Sequence, residues 1–325
     1  MNLFQHPSLP GLDEHLARVE VALRESVGSE DALLADIAGH LIDAGGKRLR
    51  PSLTVMSAQA IGAEVTDDLV KGAVSVELVH LGSLYHDDVI DEAPTRRGVE
   101  SVNARWGNLV AIVAGDFLLA RASEIAASLG TEVSGLLAHT IGRLCEGEVG
   151  EIQFAYNSAR TEAAYLGAIA GKTASLMSTS CRIGGLAANA TREHIEALTA
   201  FGHAFGMAFQ IWDDILDVIG MESSLGKPAG HDLVEGVYTL PVIRALAVPT
   251  IGDELRDLLG ARLDTPARDK ARDMIRATDA VAESVVVARR FADEASDALT
   301  VMGDGESVRA LAVMGHNLLD TLELA

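Results

Sequence analysis

The chain has 325 residues, of which 48% are hydrophobic, and this is enough apolar side chain for one large core or two small ones. Its 47 acidic residues outnumber its 26 basic residues, and the formal net charge of −21 argues against nucleic acid as a partner. The two cysteines, Cys145 and Cys181, lie far apart in apolar stretches, so neither a CxxC metal site nor a disulfide framework is indicated.

The amino-terminal residues show no secretory or membrane signal. They combine no basic segment with an apolar one, and no uninterrupted run approaches the roughly 18 apolar residues that would span a bilayer. With so few cysteines, a reducing compartment fits best. The sequence therefore predicts a soluble, cytoplasmic protein without a transmembrane segment.

Apolar residues recur at spacings of three and four along most of the chain, as buried and amphipathic helices require. Strand-like alternation, low-complexity linkers and internal repeats are absent. These features predict an all-α fold in one domain over residues 1–325, with central helices at 67–91 and 192–220. The remaining helices are predicted at 13–27, 31–44, 52–62, 107–129, 132–155, 162–189, 233–247, 251–262, 267–302 and 306–323.

The strongest chemical signal is a repeated DDxxD motif at the C-terminal end of each central helix. It comprises Asp87, Asp88 and Asp91 in HDDVID, and Asp213, Asp214 and Asp217 in WDDILD. Carboxylates four residues apart share one helix face and repel each other, near the negative end of the helix dipole. One such motif is more often a solvated acidic helix end, but its repetition favours a metal site. Oxygen ligands of this kind point to Mg²⁺.

Two basic clusters accompany the aspartates. The segment GGKRLRP at 45–51 places three cations behind a glycine pair, and Arg96 and Arg97 follow the first triad. Either cluster alone is more often a surface patch. Beside the carboxylates of so acidic a chain, they indicate a site in which metal and cations together bind an anionic substrate.

A near match to a phosphate-binding loop occurs at 167–173, GAIAGKT. Its spacing is one residue short and no strand precedes it, so a nucleotide triphosphatase is disfavoured. Lys172 remains a candidate for phosphate binding from within a helix, with a solvent-directed lysine as the alternative.

These motifs, in this order, resemble those of the trans-isoprenyl diphosphate synthase (polyprenyl synthetase) family. The resemblance covers most of the chain and rests on the segments GGKRLRP, VELVHLGSLYHDDVIDEAPTRRG, KTASL, GMAFQIWDDILDVIG and LGKPAGHDLVEGVYTLP. It implies an all-α isoprenoid synthase bundle around a deep central cavity. The implied reaction is head-to-tail condensation of isopentenyl diphosphate with an allylic diphosphate.

The resemblance also implies roles for single residues. Asp87, Asp91 and Asp213 are the expected direct metal ligands, for about three Mg²⁺ ions held on the allylic diphosphate. Asp88, Asp214 and Asp217 are closely associated carboxylates, and Lys172 and Lys227 complete the catalytic set. The isopentenyl diphosphate site is expected at Lys47, Arg50, His80 and Arg97, and the allylic site at Arg96, Lys172, Thr173, Gln210 and Lys227.

The length of the product is expected from the residues one helical turn before Asp87. Gly82 and Ser83 stand there, where short-chain members of the family carry bulky aromatic residues. Small residues would leave the product tunnel open and favour a medium- or long-chain polyprenyl product, such as a quinone side-chain precursor. The alternative is that both residues merely permit close helix packing.

Other assignments stay open at this stage. A geranylgeranyl or farnesyl diphosphate synthase, or a catalytic subunit of a heteromeric synthase, would carry the same motifs. A terpene cyclase is disfavoured because its second metal motif usually mixes Asn, Ser or Thr with Glu. A regulatory subunit is disfavoured because both aspartate motifs are intact. A homodimer is expected by resemblance.

Overall fold

A computed structural model describes residue 7 and residues 9–220 and 229–322 of the chain. The fold is all-α, as predicted. The helices are α1 (Leu12–Ser26), α2 (Ala32–Asp43), α3 (Leu49–Ala60), α4 (Asp67–Ile90), α5 (Val102–Trp106), α6 (Asn108–Ser128), α7 (Thr131–Ile152), α8 (Glu162–Ile169), α9 (Ser175–Ala187), α10 (Arg192–Ile219), α11 (His231–Val234), α12 (Leu240–Leu246), α13 (Gly252–Leu258), α14 (Thr265–Arg276), α15 (Ala280–Ala298), α16 (Glu306–Ala312) and α17 (Met314–Leu319).

The two helices predicted to be central are central. Helix α4 packs against α3, α6 and α9, and α10 packs against α9 and α15. Both are buried over most of their length, and in α4 the apolar residues surround the helix instead of forming one stripe. One hydrophobic cluster extends from Leu9 to Leu322 and joins these layers.

Several predicted helices are divided. The segment predicted at 162–189 contains a π-helical turn, Ala170–Ala174, between α8 and α9. The segment 267–302 divides into α14 and α15 at residues 277–279, where the Thr278 hydroxyl accepts from the backbone N–H of Ala280 at 3.2 Å. Serine and threonine hydroxyls that bond to nearby backbone groups compete with helix continuation.

The segment predicted at 233–247 also divides, into α11 and α12. Pro241 lies in the first turn of α12, where its missing N–H costs nothing. The short hairpin of β1 (Thr95–Arg96) and β2 (Val99–Glu100) was not predicted. Its strands are too short to show alternation, and the turn between them holds Arg97 at a φ of 54°.

Neither the helices nor the cysteines contradict the expectations about compartment. None of the helices in the described part of the chain is both long and apolar enough to cross a bilayer. Both cysteines are free, Cys145 at the surface and Cys181 in the core. A cytoplasmic location stays a prediction.

Glycines allow the central layers to approach closely. A Cβ on Gly184 of α9 would lie 2.3 Å from the carbonyl oxygen of Thr54 in α3, and a Cβ on Gly202 of α10 would lie 2.7 Å from the carbonyl oxygen of Met177. Both contacts are with backbone, which cannot rotate away. The hydrogen side chain is therefore a packing requirement at these positions.

Gly184→Ala should destabilise the protein by about 1–3 kcal/mol or more, because α3 and α9 must move apart to admit the methyl group. Gly167→Ala is the matched control, since a Cβ there meets nothing within 4 Å on an exposed helix position. The control should gain up to about 1 kcal/mol from helix propensity. Thermal or denaturant unfolding measures both, and equal effects of the two substitutions would contradict the packing role.

Candidate active site

The first aspartate triad lies where α4 ends. Asp87 occupies its last turn, and Asp91 follows its last residue. Burial raises the pKa of Asp87 to about 7. The positive charge of Lys172 lowers this pKa, and the negative charges of Glu148 and Asp91 raise it. Burial likewise raises the pKa of Asp91. The triad is therefore a crowded, partly desolvated group of carboxylates to which a bound cation would be favourable.

Lys172 joins this group from the π-helical turn. Its Nζ lies 2.7 Å from an oxygen of Glu148 and 2.7 Å from an oxygen of Glu151, both on α7. Burial alone would lower the pKa of Lys172, but Glu151, Glu148 and Asp87 together raise it well above its ordinary value. Lys172 is consequently a permanent cation within the site.

The π-helical turn approaches α7 closely because both elements carry glycine. A Cβ on Gly147 would lie 2.4 Å from the backbone nitrogen of Lys172, and a Cβ on Gly171 would lie 2.7 Å from the carbonyl oxygen of Arg143. The crossing brings Lys172 within reach of α7 carboxylates. The Lys172 side chain is therefore held by α7 carboxylates and not directed to solvent, and phosphate binding by Lys172 stays a prediction.

Glu151 connects the two triads electrostatically. Burial is the main cause of the raised pKa of Asp91 in the first triad and of Asp214 in the second. The charge of Glu151 is a smaller cause of both increases. One carboxylate influences both groups only if they lie near one another. The ends of α4 and α10 therefore both lie near Glu151 of α7. A common site between them stays a prediction.

The second triad contains three aspartates in three different situations. Asp213 is exposed, whereas Asp214 is 4% exposed. Asp214 accepts hydrogen bonds from the Tyr165 hydroxyl and from Gln210 Nε2, the latter at 2.8 Å. Gln210 in turn accepts from the Thr173 hydroxyl at 2.7 Å. Burial raises the pKa of Asp214 to about 7, although Tyr165 and Gln210 lower it.

Asp217 caps the short helix α11. Its two carboxylate oxygens accept from the backbone N–H groups of His231 at 3.2 Å and of Asp232 at 3.1 Å. Its own carbonyl accepts from the N–H of Gly230 at 2.7 Å. These bonds position the segment that follows the second triad.

Asp88 of the first triad is similarly engaged with protein. Its side chain is fully buried, and its Oδ1 accepts from Arg96 Nη2 at 2.6 Å and from Nε at 2.7 Å. The second oxygen, Oδ2, has no hydrogen-bond partner among the described residues. The buried Asp88 carboxylate thus fixes the orientation of the Arg96 guanidinium group.

The GGKRLRP segment divides its three cations between protein and site. Arg48 binds Glu20 through Nε at 2.7 Å and Nη2 at 2.9 Å, and Glu77 through Nη1 at 3.1 Å. Lys47 is exposed, with Nζ 5.7 Å from the centre of the Trp212 ring, beside the second triad. Arg50 is the third cation, and its Nε has no hydrogen-bond partner in the described ranges.

Arg50, Arg97 and His80 lie together. Burial lowers the pKa of Arg50 to about 10, with a further lowering by Arg97. Burial lowers the pKa of His80 well below its ordinary value, followed by the charges of Arg50 and Arg97. His80 is therefore neutral at physiological pH, and it can donate or accept a hydrogen bond without repelling its cationic neighbours.

The residues expected to set product length differ in their surroundings. A Cβ on Gly82 would lie 3.1 Å from the carbonyl oxygen of Gly115 and 3.1 Å from Leu119, both on α6. Ser83 is half-buried and donates to the carbonyl of His80 at 2.8 Å. Gly82 thus has a packing reason of its own, which is the alternative left open by the sequence. The effect of Ser83 on product length stays a prediction.

The sequence-predicted residues mostly converge on one end of the bundle, but Lys227 lies outside the described residues. Four further residues of the site were missed, namely Glu77, Glu148, Glu151 and Tyr165. A weak signal exists for Glu77, a carboxylate in the apolar run VSVELVHLG. The other three lie in ordinary amphipathic stretches, and only the fold brings them to the site.

The donor groups suit Mg²⁺. Asp87, Asp91 and Asp213 carry hard oxygen donors, and burial raises the pKa of Asp87 and of Asp91, so a bound cation would stabilise their charged forms. In the described ranges, no three His, Cys, Asp or Glu side chains already converge on one point as a metal cage. Mg²⁺ commonly binds through one or two carboxylates plus substrate phosphate, so a diphosphate would complete such a site.

Comparisons with known proteins show the family of this chain. A family model described as polyprenyl synthetase matches residues 31–277. A nonaprenyl diphosphate synthase of Mycobacterium tuberculosis is 41% identical over 307 residues, covering 92% of this chain and 90% of the relative. Heptaprenyl diphosphate synthase component 2 of Geobacillus stearothermophilus is 41% identical over 285 residues, covering 87% and 88%.

Solved structures show the same fold. The crystal structure of a geranylgeranyl pyrophosphate synthase from Corynebacterium glutamicum, complexed with calcium and isoprenyl diphosphate, aligns with a TM-score of 0.85 at 35% sequence identity. The alignment covers 97% of this chain and 99% of that structure.

The different situations of Asp213 and Asp217 predict different effects of removing their charges. Asp213→Asn should abolish measurable activity and lower stability less than Asp217→Asn does, because the Asp213 side chain is exposed. Asp217→Asn should lower stability by about 1–2 kcal/mol, since a helix cap is weakened. Thermal unfolding and activity assays of both variants distinguish the two roles, and an Asp213→Asn protein as destabilised as the Asp217→Asn protein would contradict them.

Proposed function

Because the chain belongs to the polyprenyl synthetase family, we propose that it condenses isopentenyl diphosphate with an allylic diphosphate, head to tail. The observation that carries this proposal is the convergence of two aspartate triads with two groups of cations. One group, Lys172 and Arg96, adjoins the first triad. The other contains Arg50, Arg97 and His80. Two cationic groups suit two diphosphates.

In this proposal, Asp87, Asp91 and Asp213 hold Mg²⁺ on the allylic diphosphate. The bound ions would neutralise charge on the leaving diphosphate. Lys172 and Arg96 add fixed positive charge at the same group, and the neighbouring Thr173 and Gln210 complete that site. Preorganised cations of this kind favour the ionised state of the substrate without rearrangement during the reaction.

The chemistry then follows from charge. The allylic C–O bond breaks, and the diphosphate leaves with the electron pair. The double bond of isopentenyl diphosphate supplies the electrons of the new C–C bond. The diphosphate group of this substrate is held by Lys47, Arg50, His80 and Arg97. A proton is lost from the isopentenyl unit to the departed diphosphate, which restores an allylic chain one unit longer. The apolar bundle excludes water from the cation.

We propose a medium- or long-chain polyprenyl product. Two relatives of the chain bear the names nonaprenyl diphosphate synthase and heptaprenyl diphosphate synthase component 2. A geranylgeranyl diphosphate synthase is the second candidate, since a structure of that name aligns over nearly the whole chain. A cytoplasmic location and a quinone side-chain precursor as product are part of the proposal.

The direct test is incubation of purified protein with Mg²⁺, labelled isopentenyl diphosphate and one allylic primer of two to four isoprene units. Chromatography of the products should show a ladder that ends beyond geranylgeranyl diphosphate, and excess EDTA should abolish it. An endpoint at the geranylgeranyl product would favour the second candidate. No incorporation with any primer would favour a catalytic subunit that needs a partner, as the name component 2 suggests for one relative.

Ser83→Phe should shorten the product by one or more isoprene units, because an aromatic ring one turn before Asp87 would block the tunnel. This position is a cleaner test than Gly82, where a large side chain also collides with α6. Ser83→Ala is the control and should leave the product ladder unchanged. An unchanged ladder from a folded Ser83→Phe protein would contradict the tunnel at this position.

We also propose that the protein is a homodimer through α6 and α7. Apolar side chains are exposed on these two adjacent helices, with Leu109 81%, Val113 61% and Val149 53% exposed. Leu109 and Val113 lie one helical turn apart, and exposed apolar side chains grouped in this way are typical of a protein interface. A heteromeric partner would use the same surface.

Val113→Asp should convert the dimer to monomers in sedimentation velocity, because a charge would be buried at the interface. The matched control is Val286→Asp on α15, where the native side chain is equally apolar and 67% exposed. Dissociation by both variants, or by neither, would place the interface elsewhere.

A further inference from the structure

Glu77 is a carboxylate buried in the middle of α4, and the proposed chemistry does not use it. Its side chain is 1% exposed. Its Oε1 accepts from Arg48 Nη1 at 3.1 Å and lies 4.0 Å from Arg97 Nη2. A buried carboxylate persists only where cations and hydrogen bonds compensate its desolvation, so this one is committed to the arginines around it.

Glu77 and Asp88 divide two adjacent arginines between them. Residues 77 and 88 are separated by close to three helical turns, which places both carboxylates on one face of α4, about 16 Å apart. Arg96 binds Asp88 through two nitrogens, whereas Arg97 faces Glu77. The neighbouring guanidinium groups of the hairpin are thereby drawn to different parts of the site.

The remaining contacts of Arg97 fix its direction. Its Nη1 donates to the carbonyl of Leu41 at 3.0 Å and to that of Gly45, which leaves Nη2 directed toward Glu77. Gly46 has to be glycine for this approach, since a Cβ there would lie 2.8 Å from the guanidinium carbon of Arg97. The loop that carries Lys47 is therefore built around the Arg97 side chain.

The arginines near Glu77 repel one another. The charge of Arg97 lowers the pKa of Arg50, and that of Glu77 raises it. Arg48 is already occupied by both oxygens of Glu20 and by the carbonyl of Ile42 at 3.1 Å. Arg50, whose Nε has no hydrogen-bond partner among the described residues, and Arg97 are the cations assigned to the substrate, and Glu77 is the buried charge beside Arg97.

We propose that Glu77 is the positioning residue for isopentenyl diphosphate, holding the Arg97 guanidinium group in place to receive its phosphates. Asp88 has the corresponding relation to Arg96 at the allylic diphosphate. The inference rests on the proposed function for the assignment of Arg97 to isopentenyl diphosphate. Glu77 itself touches no substrate.

Removal of the Glu77 charge has two opposite consequences. A more positive cluster would attract a diphosphate more strongly at long range. Loss of the buried partner would let the mutually repelling guanidinium groups move apart, and the substrate would have to order them again. The positioning role requires that the second consequence outweigh the first, so the direction of the change is itself a test.

The experiment compares Glu77→Gln with Glu20→Gln in the full-length protein. Glu20→Gln also removes a negative partner of Arg48, but the Glu20 side chain lies on α1 and is 31% exposed, against 1% for Glu77. Calorimetric binding of isopentenyl diphosphate and the KM of each substrate are measured. For Glu77→Gln we expect the Kd and KM of isopentenyl diphosphate to rise about tenfold or more, with the KM of farnesyl diphosphate changed less than about twofold. Glu20→Gln should change both values by less than about threefold.

Unchanged or tighter binding of isopentenyl diphosphate would overturn the proposal, and so would an equal loss of affinity for both substrates. A wild-type protein that binds no isopentenyl diphosphate would contradict the proposed function instead. Should Glu77→Gln fail to fold, Glu77→Asp keeps the charge at a shorter reach. It should raise only the KM of isopentenyl diphosphate, by about threefold, and an unaffected KM would reject the positioning role.

Discussion

The structure depends on the pairing of charges that are buried at one end of an apolar bundle. Desolvation is the largest influence on the pKa of Asp87 and on that of Lys172. A carboxylate or a cation that is buried in this way is stable only when it is paired with a group of opposite charge. The chain solves this by placing Lys172, Arg48 and Arg96 each against a carboxylate, so that these charges are in place before any substrate arrives. The net charge of −21 is therefore compatible with an anionic substrate, because the local charge of the site and the total charge are separate quantities.

Pairing also explains why six aspartates in two identical motifs do not behave alike. Within each motif, some carboxylates are taken up by protein groups, as Asp88 is by Arg96 and Asp217 by backbone N–H groups of α11. These fix the elements that surround the site. The Asp213 side chain is exposed. A helix end with adjacent aspartates can thus bury one side chain in contacts with protein and leave another at the surface.

Sequence reasoning succeeds here where the signal is local. The helices α4 and α10 follow from the spacing of apolar residues, and the triads follow from their position at the ends of those helices. It fails where the same residue type has two uses or where partners are distant in sequence. From the sequence, the small size of Gly82 is explained equally well by an open tunnel or by close helix packing. The structure shows the packing, because a Cβ on Gly82 would lie 3.1 Å from the carbonyl oxygen of Gly115 on α6. Glu77 bonds to an arginine 29 residues earlier, so no short-range pattern reveals it. The division at residues 277–279 is missed because no proline or glycine marks it.

The central claim is that the two triads and the surrounding cations form one site, which is completed by a diphosphate. Titration calorimetry of Mg²⁺ into the protein, with and without an unreactive thio analogue of farnesyl diphosphate, tests this directly. The account predicts weak metal binding to the protein alone and binding tighter by about a hundredfold or more with the analogue, because the carboxylates that the structure describes form no ready metal cage. Asp213→Asn should remove much of that gain, although Asp213 lies on a different helix from the first triad. Equal Mg²⁺ affinity with and without the analogue would contradict the claim that metal and diphosphate share one site.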